Sequence, residues 1–168
     1  MGFKEAIEKQ TLQFARKEYK FDFSLLFYDV TTLYFETFQS DDLRKTGFSK
    51  DSKSQQPQVL VALMVTQDGF PVAYEVFAGN TFEGHTMLPF IHSMIKRHKV
   101  QHCTVVADAA MISTANVEAL PNDPITYIVG SRLGTVSTEL FIALNTNLPR
   151  QDGNITKSNT DKGHSTGI

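Results

Sequence analysis

Between residues 24 and 36, apolar side chains fill both rows of a period-2 pattern. Leu25, Phe27, Asp29, Thr31, Leu33 and Phe35 share one row, and Ser24, Leu26, Tyr28, Val30, Thr32 and Tyr34 share the other. Two largely apolar rows predict a central strand covered on both sides. Asp29 is then a carboxylate in an apolar row, and its presence needs a chemical reason.

The pattern changes period on either side. Residues 3 to about 19 carry a weak helical stripe of Ala6, Ile7, Gln10, Phe14 and Ala15, which predicts a peripheral helix. Residues 37–58 are polar, charged and broken by glycine, a loop long enough to be functional or disordered. "VLVALMVT" and "FPVAYEVF" flank Gln67-Asp68-Gly69, a strong hairpin signal, and Pro71 puts the start of the second run at a sheet edge. Thr86 is the expected N-cap of a helix over "MLPFIHSMIKRHK". Met87, Leu88, Ile91, Met94 and Ile95 form that helix's apolar stripe, and Lys96, Arg97 and Lys99 suit the negative end of its dipole. A strand over "CTVVADAAMI", a short helix over "TANVEAL" and a strand over "ITYIVGSRL" follow, and residues 150–168 are expected to be disordered.

The order strand, strand, strand, helix, strand, helix, strand predicts an α/β fold with a mixed sheet and helices packed on it. An antiparallel meander of the first three strands makes strands one and three parallel, and the crossover helix returns strand four in the same direction. Strand four can pair beside strand three or beside strand one. Only the second choice brings Asp29 and Asp108 together, and periodicity does not choose.

Composition narrows the class. The chain has 168 residues, 41% of them hydrophobic, with thirteen Phe, enough for one domain with a real core. A formal net charge of −2 gives no overall field for nucleic acid or an anionic membrane, although a local basic strip acts alone. Cys103 is the only cysteine, so no internal disulfide forms, which suits a reducing cytoplasm, the expected location. No run of 18 apolar residues occurs, so no membrane partner is expected. The charged N-terminus is not a secretory signal, and Met1-Gly2 with Ala6 is a poor myristoylation cue.

A lone carboxylate in an apolar row costs several kcal/mol unless it is neutralised or paired. Asp29 has no Lys or Arg in its own strand, and Asp108 has none from Thr104 through Thr114. On neighbouring strands the two would repel, but a hard divalent cation reverses the penalty and keeps both ionised. Two such ions about 3.5–4 Å apart activate water and stabilise the leaving oxygen of a phosphodiester. The competing reading of Asp108 is that it caps a turn with its own side chain.

"FYDVTTLYFE", "LRKTGFSKDSKSQQPQVLVAL", "DGFPVAYEVFAGNTFEGHT" and "VVADAAMIS" together resemble the catalytic core of bacterial insertion-sequence transposases, the insertion-sequence-four-like group with an Asp-Asp-Glu triad. The resemblance covers roughly Phe21 to Leu133. It implies a ribonuclease-H-like fold in which strand four pairs with strand one. It also implies that Asp29 and Asp108 are catalytic and bind Mg²⁺ or Mn²⁺, for strand cleavage and transfer at transposon ends. Glu83 and His85 in "GNTFEGHT" fall near the site, and "GFSKD", with Lys50 and Asp51, is a further shared block. The group's third carboxylate lies on a later helix in a Tyr-x-x-Arg-x-x-x-Glu pattern, which Tyr127, Gly130, Arg132 and Val136 do not reproduce. Glu139 reads as a surface acid.

The resulting expectation is a peripheral helix over 1–20, a partial core over 21–145 and a polar tail over 146–168 that matches no part of the family. With two of three ligands, metal binding should be weak and turnover slow or absent, as in a truncated and inactive remnant. The alternatives are a non-catalytic regulatory module that binds transposon-end DNA or full-length transposase, or self-associates, and a stand-alone nuclease using Glu83 or Glu139 as third ligand. Arg44, Lys45, Lys50 and Lys53 are candidate phosphate contacts, offset by Asp41, Asp42 and Asp51. His98, His102 and Cys103 only superficially suggest zinc, and no Walker loop or nucleophile elbow occurs.

Overall fold

The computed structural model describes residues 2–20, 23–48, 53, 55–111, 116, 125–130, 137–146, 157–159 and 165–167. The chain divides into two compact units, Met1–Gly130 and Ser131–Ile168.

The first unit contains α1 (Phe3–Tyr19), β1 (Leu25–Tyr34), β2 (Gln58–Thr66), β3 (Pro71–Ala78), α2 (Met87–His98), β4 (Cys103–Ala107) and β5 (Ile125–Val129). Single 3-10 turns, Glu83–His85 and Ala109–Met111, lie before α2 and after β4. The strand order is β3-β2-β1-β4-β5. β1, β2 and β3 are antiparallel in sequence, while β4 runs parallel to β1 and β5 parallel to β4. This is the ribonuclease-H-like mixed sheet with flanking helices, and strand four takes the place beside strand one. The hairpin turn forms at Gly69, whose φ of 81° suits a residue without Cβ, and Thr66 N–H donates to the Phe70 carbonyl across it. β3 is an edge strand, which tolerates Pro71 at its start.

The core lies on one face of the sheet. Leu26 and Tyr28 of β1, Ala62 and Met64 of β2 and Val105 of β4 pack with Phe90, Ile91 and Met94 of α2, and the Tyr28 and Phe90 rings sit 5.4 Å apart. Fully burying each such large side chain contributes about 1.5–3 kcal/mol. α1 joins this core through Leu12. Its buried residues are Glu8, Leu12 and Ala15, while Ile7 and Phe14 are exposed, so the expected stripe is rotated. Glu8 turns inward because Arg97 of α2 meets its carboxylate at 2.7 Å, with side-chain exposures of 7% and 14%.

The expectation that β1 is covered on both sides does not hold among the described residues. Phe27, Leu33, Leu63, Tyr74, Val76 and Ile128 are exposed on the other face. Both described helices of this unit pack on the Leu26–Tyr28 side, so the Asp29 row meets solvent. The long loop is also partly built. Lys45 and Gln58 exchange backbone hydrogen bonds at 3.2 and 3.0 Å, and the Leu43 carbonyl accepts from Gly79 N–H. The Gln58 side chain, 1% exposed, donates from Nε2 to the carbonyls of Phe48 and Gly79.

The second unit contains α3 (Thr138–Thr146) and an antiparallel pair, β6 (Lys157–Asn159) and β7 (Ser165–Gly167). The "TANVEAL" helix lies outside the described residues except at Asn116.

Candidate active site

The β1–β4 ladder ends with Tyr28 beside Ala107. The next residue of each strand is an aspartate, Asp29 and Asp108. Parallel neighbours share a face and lie about 4.8 Å apart. Asp29 lies midway along β1 and Asp108 one residue past the C-terminal end of β4, so the parallel register places the two positions on neighbouring segments at the level where β4 ends. Both are exposed. Asp29 is thus not a buried charge, and the burial cost inferred from its row does not apply.

Asp108 also makes the local bonds of a turn residue. Its Oδ1 accepts from Ala109 N–H at 2.5 Å and its carbonyl accepts from Met111 N–H at 3.0 Å. Gly130, just past β5, passes so close that a Cβ there would lie 3.2 Å from the Ala109 nitrogen. The turn that carries Asp108 is held from both sides.

Glu83 is half-buried in the turn before α2. His85 is exposed and packs edge-on to Phe82, with centroids 5.3 Å apart. Thr86 does not cap α2. Its backbone is helical, and its hydroxyl donates to the Glu83 carbonyl at 2.6 Å and meets the Tyr28 hydroxyl at 2.7 Å. Since the one Thr86 proton goes to the carbonyl, Tyr28 donates to Thr86. Burial pushes the Tyr28 phenol up to about 12, against the lowering effect of the Thr86 bond, with the charges of Asp29 and Glu83 adding to the rise. Asn116 Nδ2 donates to the Gly84 carbonyl at 2.6 Å and to the Met111 carbonyl at 2.9 Å, joining the two turns. Tyr28 and Thr86 lie within the motif blocks quoted above, but neither was singled out as a site residue. Asn116 carries no sequence signal of its own.

The basic candidates are dispersed. Arg44 pairs with Asp41 at 2.7 Å, and the Arg44 N–H and guanidinium hold the Asp41 carboxyl below its ordinary range. Lys45 contributes its backbone to the Gln58 bridge. Lys53 sits over the Tyr34 ring at 5.2 Å, and Lys50 lies outside the described residues. His98 packs against Phe23, and burial lowers its pKa while it raises that of Cys103. Glu139 is exposed on α3.

Among the described residues, no group of three His, Cys, Asp or Glu side chains is placed to hold a metal ion. The donor set fits part of a divalent-ion site. Mg²⁺ typically takes one or two protein carboxylates, keeps several waters and completes its shell with substrate phosphate, and two exposed, adjacent aspartates suit that role. No helix among the described residues is long and apolar enough to cross a membrane.

Three solved structures illustrate what the chain is similar to. The Mos1 transposase paired-end complex with left transposon end is 12% identical at a TM-score of 0.42, over 74% of this chain and 40% of that one. The piggyBac transposase synaptic complex with hairpin DNA is 13% identical at 0.48, over 95% of this chain and 38% of that one. A pre-cleavage Mos1 transpososome is 11% identical at 0.44, over 76% and 42%. The chain spans about two fifths of the length of these transposases. No curated protein matches it significantly. The family match takes in the polar stretch beyond Leu133, where the motif blocks showed no resemblance. Matching the family described as the transposase DDE domain over residues 20–166, the chain belongs to that family.

Proposed function

We propose that this chain forms part of the catalytic core of an insertion-sequence-four-like bacterial transposase, acting on transposon-end DNA by metal-dependent phosphoryl transfer. The observation that carries the reading is the pairing of β1 and β4 in parallel, with an aspartate following the last ladder pair on each strand. Asp29 and Asp108 would hold Mg²⁺ or Mn²⁺ between them. The chemistry supplied by such an ion is activation of the attacking oxygen and stabilisation of the leaving oxygen of a phosphodiester. The two carboxylates would hold that charge where β4 ends beside the middle of β1. Glu83 adds negative charge at the edge of the site, and His85 is exposed there for contact with a DNA strand. Lys45, Lys50, Lys53 and Arg44 would contribute phosphate contacts along the 37–58 segment.

A third carboxylate in the group's Tyr-Arg-Glu pattern is not recognisable in these 168 residues. On its own, therefore, this polypeptide binds metal weakly and cleaves DNA slowly or not at all. A nicking assay on DNA carrying the element's ends, with Mg²⁺ or Mn²⁺, tests this. Little or no cleavage is expected, and robust cleavage abolished by Asp29→Ala would overturn the inactivity. A second reading is a non-catalytic module binding transposon-end DNA or full-length transposase, favoured by the exposed apolar row of Phe27, Leu33 and Leu63. Salt-dependent DNA binding that survives Asp29→Ala without cleavage would support that module.

A further inference from the structure

We propose that Tyr28, Thr86 and Asn116 are positioning residues that hold Asp108 beside Asp29 through a chain of hydrogen bonds on the covered side of the sheet. The inference rests on reading the two aspartates as one metal site.

The need for such a device follows from the ladder. Asp29 lies inside β1, where it pairs with Leu63 of β2. Asp108 lies one residue beyond β4, past the last pair of either of that strand's ladders. Sheet hydrogen bonding therefore fixes Asp29 but leaves Asp108 to the turn that follows. That turn is tied at Met111, whose N–H bonds the Asp108 carbonyl and whose own carbonyl accepts from Asn116. The same Asn116 nitrogen uses its other hydrogen on Gly84. Both acceptors are carbonyls, so the amide has one sensible orientation.

From Gly84 the path returns to β1. Gly84 is buried, and a Cβ there would lie 3.7 Å from the Ala110 carbonyl oxygen, so this turn packs against the one that follows Asp108. The Thr86 hydroxyl closes this turn on the Glu83 carbonyl and receives the Tyr28 phenol. Tyr28 is the residue before Asp29 and points to the opposite face. Tyr28, Thr86 and Asn116 are all nearly fully buried, at 2%, 0% and 4% exposure. Tyr28, Thr86 and Asn116 thus link the backbone before Asp29 to the backbone after Asp108 without entering the solvent face where substrate would bind. Partners that orient a metal ligand from behind commonly change affinity by about 10–100-fold when removed.

The test is Mn²⁺ binding to the full chain, followed by electron paramagnetic resonance of the free ion. Amide hydrogen exchange at Ala109 and Met111 serves as a readout that needs no metal. The variants are Asp29→Asn, Tyr28→Phe, Thr86→Val, Thr86→Ser and Asn116→Leu, each first shown to be folded by its amide spectrum. Asp29→Asn is expected to remove binding. Thr86→Val and Asn116→Leu are expected to weaken it about tenfold and to speed exchange at Met111, while Thr86→Ser, which keeps the hydroxyl, stays near the parent. Tyr28→Phe, which keeps the ring, should shift binding in the same direction as Thr86→Val. If the parent shows no Asp29-dependent Mn²⁺ binding, the metal-site reading falls. If the parent binds and folded Thr86→Val and Asn116→Leu bind equally well with unchanged exchange, the positioning role alone falls.

Discussion

Neutralising one of the two aspartates should stabilise the protein without metal and remove its response to metal. Neighbouring strands lie about 5 Å apart, which sets the scale for carboxylates that share an ion across them. At that spacing, exposed like charges repel by about 0.8 kcal/mol in water, reduced to about 0.5 kcal/mol by ordinary salt. Asp29→Asn keeps the shape and removes one charge, so in EDTA it should gain about 0.5 kcal/mol, or about 1–2 °C in Tm for a chain of this size. In the parent, Mg²⁺ at ten times its Kd adds about 1.4 kcal/mol, or about 3–6 °C. In Asp29→Asn that increment should largely disappear. Thermal melts followed by circular dichroism, in EDTA and across a Mg²⁺ series, measure both effects. The reasoning is refuted if Asp29→Asn gains as much from Mg²⁺ as the parent. It is also refuted if the substitution costs more than about 1 kcal/mol in EDTA, since the carboxylate would then be holding structure rather than opposing its neighbour.

Three further outcomes follow from the same structure. Arg97→Met leaves the Glu8 carboxylate buried without its 2.7 Å partner and should cost about 3–5 kcal/mol in urea unfolding, whereas the Arg97→Met/Glu8→Leu pair should recover most of it. The raised Tyr28 phenol stabilises the folded state below its unfolded value near 10, and this contribution is lost as pH rises to about 12. The parent should therefore lose about 2–3 kcal/mol more than Tyr28→Phe across that window in unfolding titrations. Gly79→Ala would place a Cβ against the backbone carbonyls of Gln58 and Lys45, so it should unfold or strongly destabilise the first unit, measured as a fall in Tm of more than about 6 °C.

Much of the architecture could be read from local chemistry. Asp68-Gly69 between two apolar runs marked the β2–β3 hairpin, and the Met87–Met94 stripe marked α2, because each signal is short-range. The place of β4 could not be read that way. A parallel neighbour is chosen by tertiary packing, so only the family resemblance selected the position beside β1. Period-2 alternation sorted the two rows of β1 correctly but could not say which row the helices cover, and among the described residues Asp29 lies on the exposed one. The face of α1 was misjudged for a related reason. Glu8 looks like a solvent residue until Arg97, far along the chain, is brought to it. Thr86 carries the chemistry of a cap, yet a buried phenol competes successfully for its hydroxyl.

The account stands on Asp29 and Asp108 sharing one ion. Anomalous difference diffraction from crystals of this chain soaked in excess Mn²⁺ tests that directly. The expected result is a single peak within about 2.0–2.6 Å of an oxygen from each carboxylate. Ordered side chains with no peak between them, or a peak touching only one, would contradict it.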